Sequence, residues 1–217
     1  MIGGSAIVTE AWRRKAPALL MAWYGGMEGG NALADVLFGN VNPSGKLPCT
    51  FPESSAQLPF FDKDAETIQY GYYHGYRLLE KEQQTVAFSF GFGLSYTQFF
   101  YSNLSISRTL FTTAEEAKVA IDITNTGLRA GEEIVQLYTG CQGSKNDHPH
   151  KVLRCFQRVA LQPGQKKTVI FNLKVSDLAY YDVIRQQWQV EAARYTIFAG
   201  PSSNDKDLLC ATIDVRQ

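Results

Sequence analysis

Trp23, Tyr24 and Glu28 are the residues whose types and spacing could do chemistry together. The two aromatics end an apolar run, and the carboxylate lies in the glycine-rich turn Gly25-Gly26-Met27-Glu28-Gly29-Gly30. In open α/β sheets, ligands bind beyond the carboxyl ends of strands, where helix N-termini point. An aromatic face and a carboxylate in such a place could line a ligand site. The competing reading is structural: Trp23 packs in a core and Glu28 complements the positive end of the next helix. His74 lies among tyrosines, where it either packs against them or touches a substrate.

Other chemistries fit less well. The glycine-rich turn does not match G-x-G-x-x-G, and Glu28 would repel a phosphate. Ser44-Gly45-Lys46-Leu47 is similar to a P-loop ending but has Leu where Ser or Thr must hold magnesium. Nucleotide binding is not expected. His148-Pro149-His150 could ligate a metal, but beside Asn146 and Asp147 it reads as a solvated turn. Cys49, Cys141, Cys155 and Cys210 include no C-x-x-C pair, so no structural zinc site is expected. Reduced, buried thiols are the simple expectation, with a disulfide between two of them left open. Asp62, Asp64 and Glu66 form a solvent-facing acidic loop. Asn103-Leu104-Ser105 has the pattern of a glycosylation acceptor.

The elements that must position these residues fall into two halves. Residues 18–22, Ala-Leu-Leu-Met-Ala, read as a strand buried on both faces. Residues 31–38 read as a short helix with Ala32, Leu33, Val36 and Leu37 on one face and Gly39 as its stop. Asn42-Pro43-Ser44-Gly45 is a turn, and residues 47–51 are extended. The second half alternates apolar and polar residues. Strands are expected near residues 103–107, 118–124, 133–139, 152–161, 168–173, 188–190, 195–199 and 208–215, separated by turn signals. That pattern reads as an immunoglobulin-like or fibronectin type III-like β-sandwich. Between the halves, residues 70–100 are rich in aromatics and glycine, which argues for a packed connection over a flexible linker. The expected organisation is an α/β part at 1–75, a connector at 76–97 and a β-sandwich at 98–217.

Composition bounds the function. Lys plus Arg is 21 and Asp plus Glu is 21, so no basic excess points to nucleic acid. At 45% hydrophobic and 19% charged, the chain has the make-up of a packed globular protein. No run of about 18 apolar residues exists, so no membrane span is expected, and the first residues have no signal-peptide pattern. A (β/α)₈ barrel of about 250 residues cannot fit in 217. The α/β part has too few strands to close a parallel sheet, so missing sequence or another chain should supply the rest.

Several long motifs carry a family resemblance. AWYGGMEGGNALADVLFG at residues 22–39, VNPSGKLP at 41–48 and TFP at 50–52 closely resemble the C-terminal domain of glycoside hydrolase family 3. FGFGLSYT at 90–97 is similar to that family's signature. NTG at 125–127, AGEE at 130–133, VQLY at 135–138, LQPG at 161–164 and Trp188 resemble the fibronectin type III-like domain that ends many members. The fold implied is an α/β fragment, part of an α/β sandwich, followed by an all-β fibronectin type III-like sandwich. Complete members carry the nucleophilic Asp in a barrel and, in many, the acid/base Glu early in the α/β sandwich. Neither motif has a counterpart here, so the resemblance implies no catalytic residue in this chain, and Glu28 is not assigned as acid/base. Tyr72-Tyr73-His74 stands where many members have Glu-Gly before the equivalent of Gly75-Tyr76-Arg77, which leaves the sugar open.

The resemblance implies the C-terminal, non-nucleophile part of a retaining, exo-acting β-glycosidase, a β-glucosidase first of all. Its partners would be a β-glucoside or related oligosaccharide and a missing barrel domain or partner subunit. No metal or organic cofactor is implied. Trp23, Tyr24, Glu28 and His74 become candidate sugar-site residues. Members occur in cytoplasm, periplasm and outside cells, so the compartment stays open. The alternative is a stand-alone carbohydrate- or protein-binding module, or one subunit of a split glycosidase. A large uncovered apolar face on the α/β part would favour a fragment or a paired chain over the module.

Overall fold

Regular structure is sparse before residue 90 and nearly continuous after it. The structure, a computed structural model, describes residues 1–216. The first part holds helix α1 (Gly29–Leu37), strand β1 (Phe51–Pro52), helix α2 (Tyr76–Lys81) and strand β2 (Val86–Phe88). β1 and β2 pair antiparallel, with Phe51 buried and the Phe88 ring edge-on to it at 6.1 Å.

Residues 18–22 do not form the expected strand. Ala18 is exposed, and Leu19, Leu20, Met21 and Ala22 are half-buried rather than buried on both faces. What remains is a single parallel-type pairing with the first residue. The Met1 amino group donates to the Leu20 carbonyl at 2.7 Å, and the Ala22 N–H donates to the Met1 carbonyl at 2.9 Å. Two short extended segments alone do not make a stable sheet. Helix α1 starts two residues earlier than its periodicity predicts, and Gly39, at φ 78°, stops it as expected. Its apolar face is incompletely covered: Leu33, Ala34 and Val36 are half-buried, none is fully buried, and Leu37 and Phe38 are exposed, Phe38 to 84%.

The second part is the expected β-sandwich. Its strands are β3 (Phe99–Ile106), β4 (Leu110–Thr112), β5 (Glu116–Asn125), β6 (Gly131–Gln142), β7 (Val152–Leu161), β8 (Lys166–Lys174), β9 (Tyr180–Asp182), β10 (Gln187–Gln189), β11 (Arg194–Gly200) and β12 (Leu209–Arg216). One sheet runs β4-β12-β11-β6-β7 and the other β3-β5-β8. All pairs are antiparallel except β4 with β12. β9 and β10 form a separate hairpin, on which exposed Trp188 meets Tyr181. The core is the inward half of each alternation: Val119, Ile121 and Ile123 from β5 face Val135 and Leu137 from β6 and Ile197 from β11. Among the described residues the four cysteines are unbridged, and they are half-buried or exposed, not buried as read.

Polar contacts clamp the first part to the sandwich. Asn42 donates to the Ala130 carbonyl at 2.9 Å and accepts from Ser95 Oγ and the Tyr96 N–H. Lys46, in the P-loop-like stretch, is nearly buried, 2.8 Å from Glu133 and 3.0 Å from the Gly93 carbonyl. Gln136 Nε2 donates to the carbonyls of Gly91 and Pro201. Gly91 sits at φ 76° against that amide, leaving no space for a Cβ. Lys151, fully buried, joins Glu80 of α2 at 2.6 Å to Asp205 at 2.8 Å.

Within the small sheet, β3 bulges between Ser102 and Ser105, and Asn103 takes a left-handed φ of 54°. The bulge aims the Asn103 amide at Asp122, 2.8 Å away. That nitrogen, the atom a glycan would take, is therefore engaged. Lys166 and Thr168 also bond Asp122, each at 2.6 Å. Together these bonds lower its pKa from the usual 3.8 to about 2.

Two stability predictions follow from these contacts. The Asn125 side chain is fully buried and makes four hydrogen bonds. Asn125→Ala should destabilise by about 3 kcal/mol in urea unfolding, and Thr97→Val, which removes one of the four, by about 1 kcal/mol. Equal losses would show that the amide does not act as a hub. The native pKa of Asp122 lies below its unfolded value, so its carboxylate stabilises above the unfolded value and that gain fades as pH falls. Asp122→Asn should be less stable than the parent near neutrality, with the gap closing between pH about 4 and about 2. A pH-independent gap would assign the loss to packing.

Candidate functional site

The turn after residue 22 is tight because three backbone positions demand it. Trp23 adopts φ 51°, Gly26 adopts φ 67°, and a Cβ on Gly25 would lie 2.8 Å from the Gly29 Cα. The result presents Trp23, Tyr24 and Glu28 on one loop before α1. Trp23 is half-buried, Tyr24 is 78% exposed, and Glu28 is exposed. The Tyr24 ring lies over Gly4, where a Cβ would come within 2.9 Å of it. Glu28 occupies the N-cap position of α1, but its side chain caps no backbone N–H. Its Oε2 accepts from Asn31 Nδ2 at 2.7 Å. The only other carboxylate of this loop and helix, Asp35, accepts from Asn40 Nδ2 at 3.1 Å. The loop thus offers ring faces for stacking and a carboxylate able to accept hydrogen bonds, without a second carboxylate beside it.

His74 lies elsewhere. It is exposed, and Arg77 Nη2 approaches its Nε2 at 3.1 Å. The guanidinium of Arg77 sits 5.5 Å from the Tyr72 ring centre, and Tyr72 meets Tyr73 edge-on. Tyr73 donates to Asp147 Oδ1 at 2.7 Å, while Lys81 holds Asp147 Oδ2 at 2.8 Å. Burial, with Asp147 beside it, pushes the Tyr73 phenol up, and the Lys81 and Tyr73 bonds lower the Asp147 pKa. This chain of contacts pins residues 72–81 to the sandwich loop that carries Asp147. Among the described residues, no hydrogen bond or ring contact joins His74 to the Trp23 loop.

An open cavity of about 600 Å³ lies beside α2, lined by Phe60, Ile68, Tyr70, Tyr73, Leu78 and Glu82 among others. None of the four candidate residues lines it. The acidic loop is exposed as expected, with Asp64 paired to Lys63. The histidine turn is a correction: His148 is half-buried against Glu191 and Tyr180, Pro149 is buried, and only His150 is exposed, facing Asp205.

The chain was compared with known proteins. Residues 1–96 match the Glycosyl hydrolase family 3 C-terminal domain, and residues 133–203 match the Fibronectin type III-like domain. A β-glucosidase of Kluyveromyces marxianus is 42% identical over 201 residues, covering 89% of this chain and 23% of that protein. Thermostable β-glucosidase B of Acetivibrio thermocellus is 40% identical over 210 residues, covering 94% of this chain and 28% of the relative. Among solved structures, the Kluyveromyces marxianus β-glucosidase in complex with glucose superposes on all of this chain with a TM-score of 0.90 at 38% identity, over 26% of its own length. β-Glucosidase 3B of Thermotoga neapolitana, in complex with α-D-glucose, gives a TM-score of 0.89 at 35% identity over 99% of this chain and 30% of its own. The chain therefore spans about a quarter of the length of the relatives it matches. Motifs, fold and relatives agree: the chain belongs to glycoside hydrolase family 3, as its C-terminal α/β region followed by a fibronectin type III-like domain.

Proposed function

We propose that this chain forms the C-terminal, non-nucleophile part of a retaining, exo-acting β-glucosidase that removes terminal non-reducing β-D-glucosyl residues. The observation that carries the reading is the incompletely covered apolar face of the α/β segment. No residue of helix α1 is fully buried, and Met27, Leu37, Phe38, Phe60 and Phe61 all lie exposed. Exposed apolar surface of this kind marks a place where another element docks. In this reading the docked element is the barrel, in the same polypeptide or a partner subunit. The face also weighs against a self-contained binding module, which would close with a polar surface.

The names of the relatives supply the substrate class, a β-glucoside. Retention requires two carboxyls about 5–5.5 Å apart, one as nucleophile and one as acid/base. Both are assigned outside this chain. Its own contribution is a wall of the sugar site: Trp23 and Tyr24 offer ring faces to the pyranose, and Glu28 accepts hydrogen bonds from its hydroxyls. His74, at the end of the α/β part, would add a further contact. The fibronectin-like sandwich holds both segments in place through Asn42, Lys46 and Lys151.

The test has two arms. The purified 217-residue chain should release no p-nitrophenol from p-nitrophenyl β-glucoside above background. Turnover that survives repurification and disappears in Glu28→Gln would overturn the assignment of both carboxyls elsewhere. In the second arm, this chain replaces the matching segment of the Kluyveromyces marxianus enzyme. The chimera should hydrolyse the substrate, and Trp23→Ala within it should raise KM by about tenfold, the loss of a contact worth about 1.4 kcal/mol. An unchanged KM and kcat would remove Trp23 from the sugar site.

A further inference from the structure

One end of the sandwich gathers three side chains that no sequence spacing links. Cys141 is the penultimate residue of β6, His148 lies in the loop before β7, and Glu191 stands just before β11. One ligand atom from each lies within 4.8 Å of the other two. His148 Nε2 and Glu191 Oε2 are 3.3 Å apart. A tetrahedral Zn²⁺ with bonds of about 2.0–2.1 Å to nitrogen and oxygen holds such a pair roughly 3.4 Å apart. The Cys141 sulfur, with a Zn–S bond of about 2.3 Å, would need to move by no more than about 1.2 Å from the 4.8 Å limit.

The surroundings hold these groups in place. Glu191 Oε2 accepts from Ser144 Oγ at 2.6 Å and Asn146 Nδ2 at 2.9 Å. The Glu191 carbonyl accepts from the Tyr195 hydroxyl at 3.0 Å, and Tyr195 pairs with Cys141 across β6 and β11. The His148 ring packs edge-on against Tyr180, with centres 5.3 Å apart. Such outer contacts orient ligands before a metal arrives. A cavity of about 480 Å³, lined in part by Lys145, Asn146, Tyr180, Arg185 and Glu191, opens beside the Glu191 end of the cluster.

We propose that Cys141, His148 and Glu191 bind Zn²⁺. A thiolate and an imidazole together favour zinc over magnesium or calcium. On binding, the thiol proton leaves to solvent and the sulfur coordinates as thiolate. The ion would tie the loop between β6 and β7 to the segment entering β11. The site lies outside the α/β segment and stands independently of the glucosidase reading.

The full chain, stripped with a chelator, would be loaded with Zn²⁺ and dialysed against metal-free buffer. The expected result is about one zinc retained per chain and a raised Tm. Loading with Co²⁺ instead should give a thiolate-to-cobalt charge-transfer band in the near ultraviolet. Cys141→Ser should abolish that band and the retention. Glu191→Gln should weaken zinc binding by about tenfold or more, and Ser144→Ala, which only loosens a ligand, by about tenfold. Cys210→Ser and His150→Ala should behave as the parent. The metal-free Tm of each variant is measured first, and if Cys141→Ser fails to fold, His148→Ala on the loop takes its place. Failure of the parent to retain zinc, retention undiminished in Cys141→Ser or its replacement, or loss in the two control variants would each overturn the proposal.

Discussion

A single buried amide fastens the end of the connector to the β-sandwich. Asn125 has two donors and one acceptor oxygen with two lone pairs, and all four positions are used. Its Oδ1 accepts from Thr97 Oγ1 at 2.7 Å and the Gly127 N–H at 3.1 Å; its Nδ2 donates to the carbonyls of Arg129 at 2.7 Å and Leu161 at 3.1 Å. These partners come from the end of the connector, from the turn after β5 and from the end of β7. Aspartate could not replace it, since a carboxylate has no donor and its charge would be buried. Gly127 follows from the same constraint, because a Cβ there would lie 2.3 Å from Thr97 Oγ1. The FGFGLSYT and NTG motifs are thus two sides of one contact.

The remaining seam is polar and buried, which makes it specific. Burying a charge is unfavourable unless it is paired and hydrogen-bonded. Lys151 meets that condition with two carboxylates from different segments, Glu80 and Asp205. Burial raises the Glu80 pKa even against the attraction of Lys151. At Asp205 burial pulls the same way, but the bonds to Lys151 and His150 outweigh it and the pKa falls. Lys46 with Glu133 and Gln136 with Gly91 complete a joint that works only in one arrangement. Tyr76 and Phe90 also pack against Tyr138, Phe198 and Leu208, and the polar pairs fix the register of that apolar contact.

How far the fold could be read follows from the range of its contacts. Alternation exposed the sandwich strands because each has its buried face supplied by its own domain; β7 spans the expected 152–161. β4 escaped notice because three residues with one inward side chain, Phe111, carry no period. Residues 18–22 misled for the opposite reason: the run is apolar, but no sheet surrounds it here. The candidate loop was legible because Trp23, Tyr24 and Glu28 are neighbours in sequence. Where His74 lies relative to that loop was not legible, since its position is set through Tyr73, Lys81 and the distant Asp147. The same limit hid the cysteine cluster. A search for C-x-x-C cannot find His148 and Glu191, which are 43 residues apart and meet through the β6–β11 pairing.

The backbone at Trp23 links this architecture to the proposed role. A non-glycine residue in the left-handed region costs about 1–2 kcal/mol. Glycine occupies the next two positions, so the turn already uses the residue that would relieve the strain. At position 23 the chain keeps an indole instead, only half-buried and beside a helix with no fully buried residue. Local packing therefore repays little of that strain. Backbone strain persists where surroundings or function require a side chain in a fixed place. The proposed sugar site would place that requirement on the loop between residue 22 and α1. The sugar-facing role proposed for Trp23, on a segment held by the sandwich behind it, would give that strain a reason to persist.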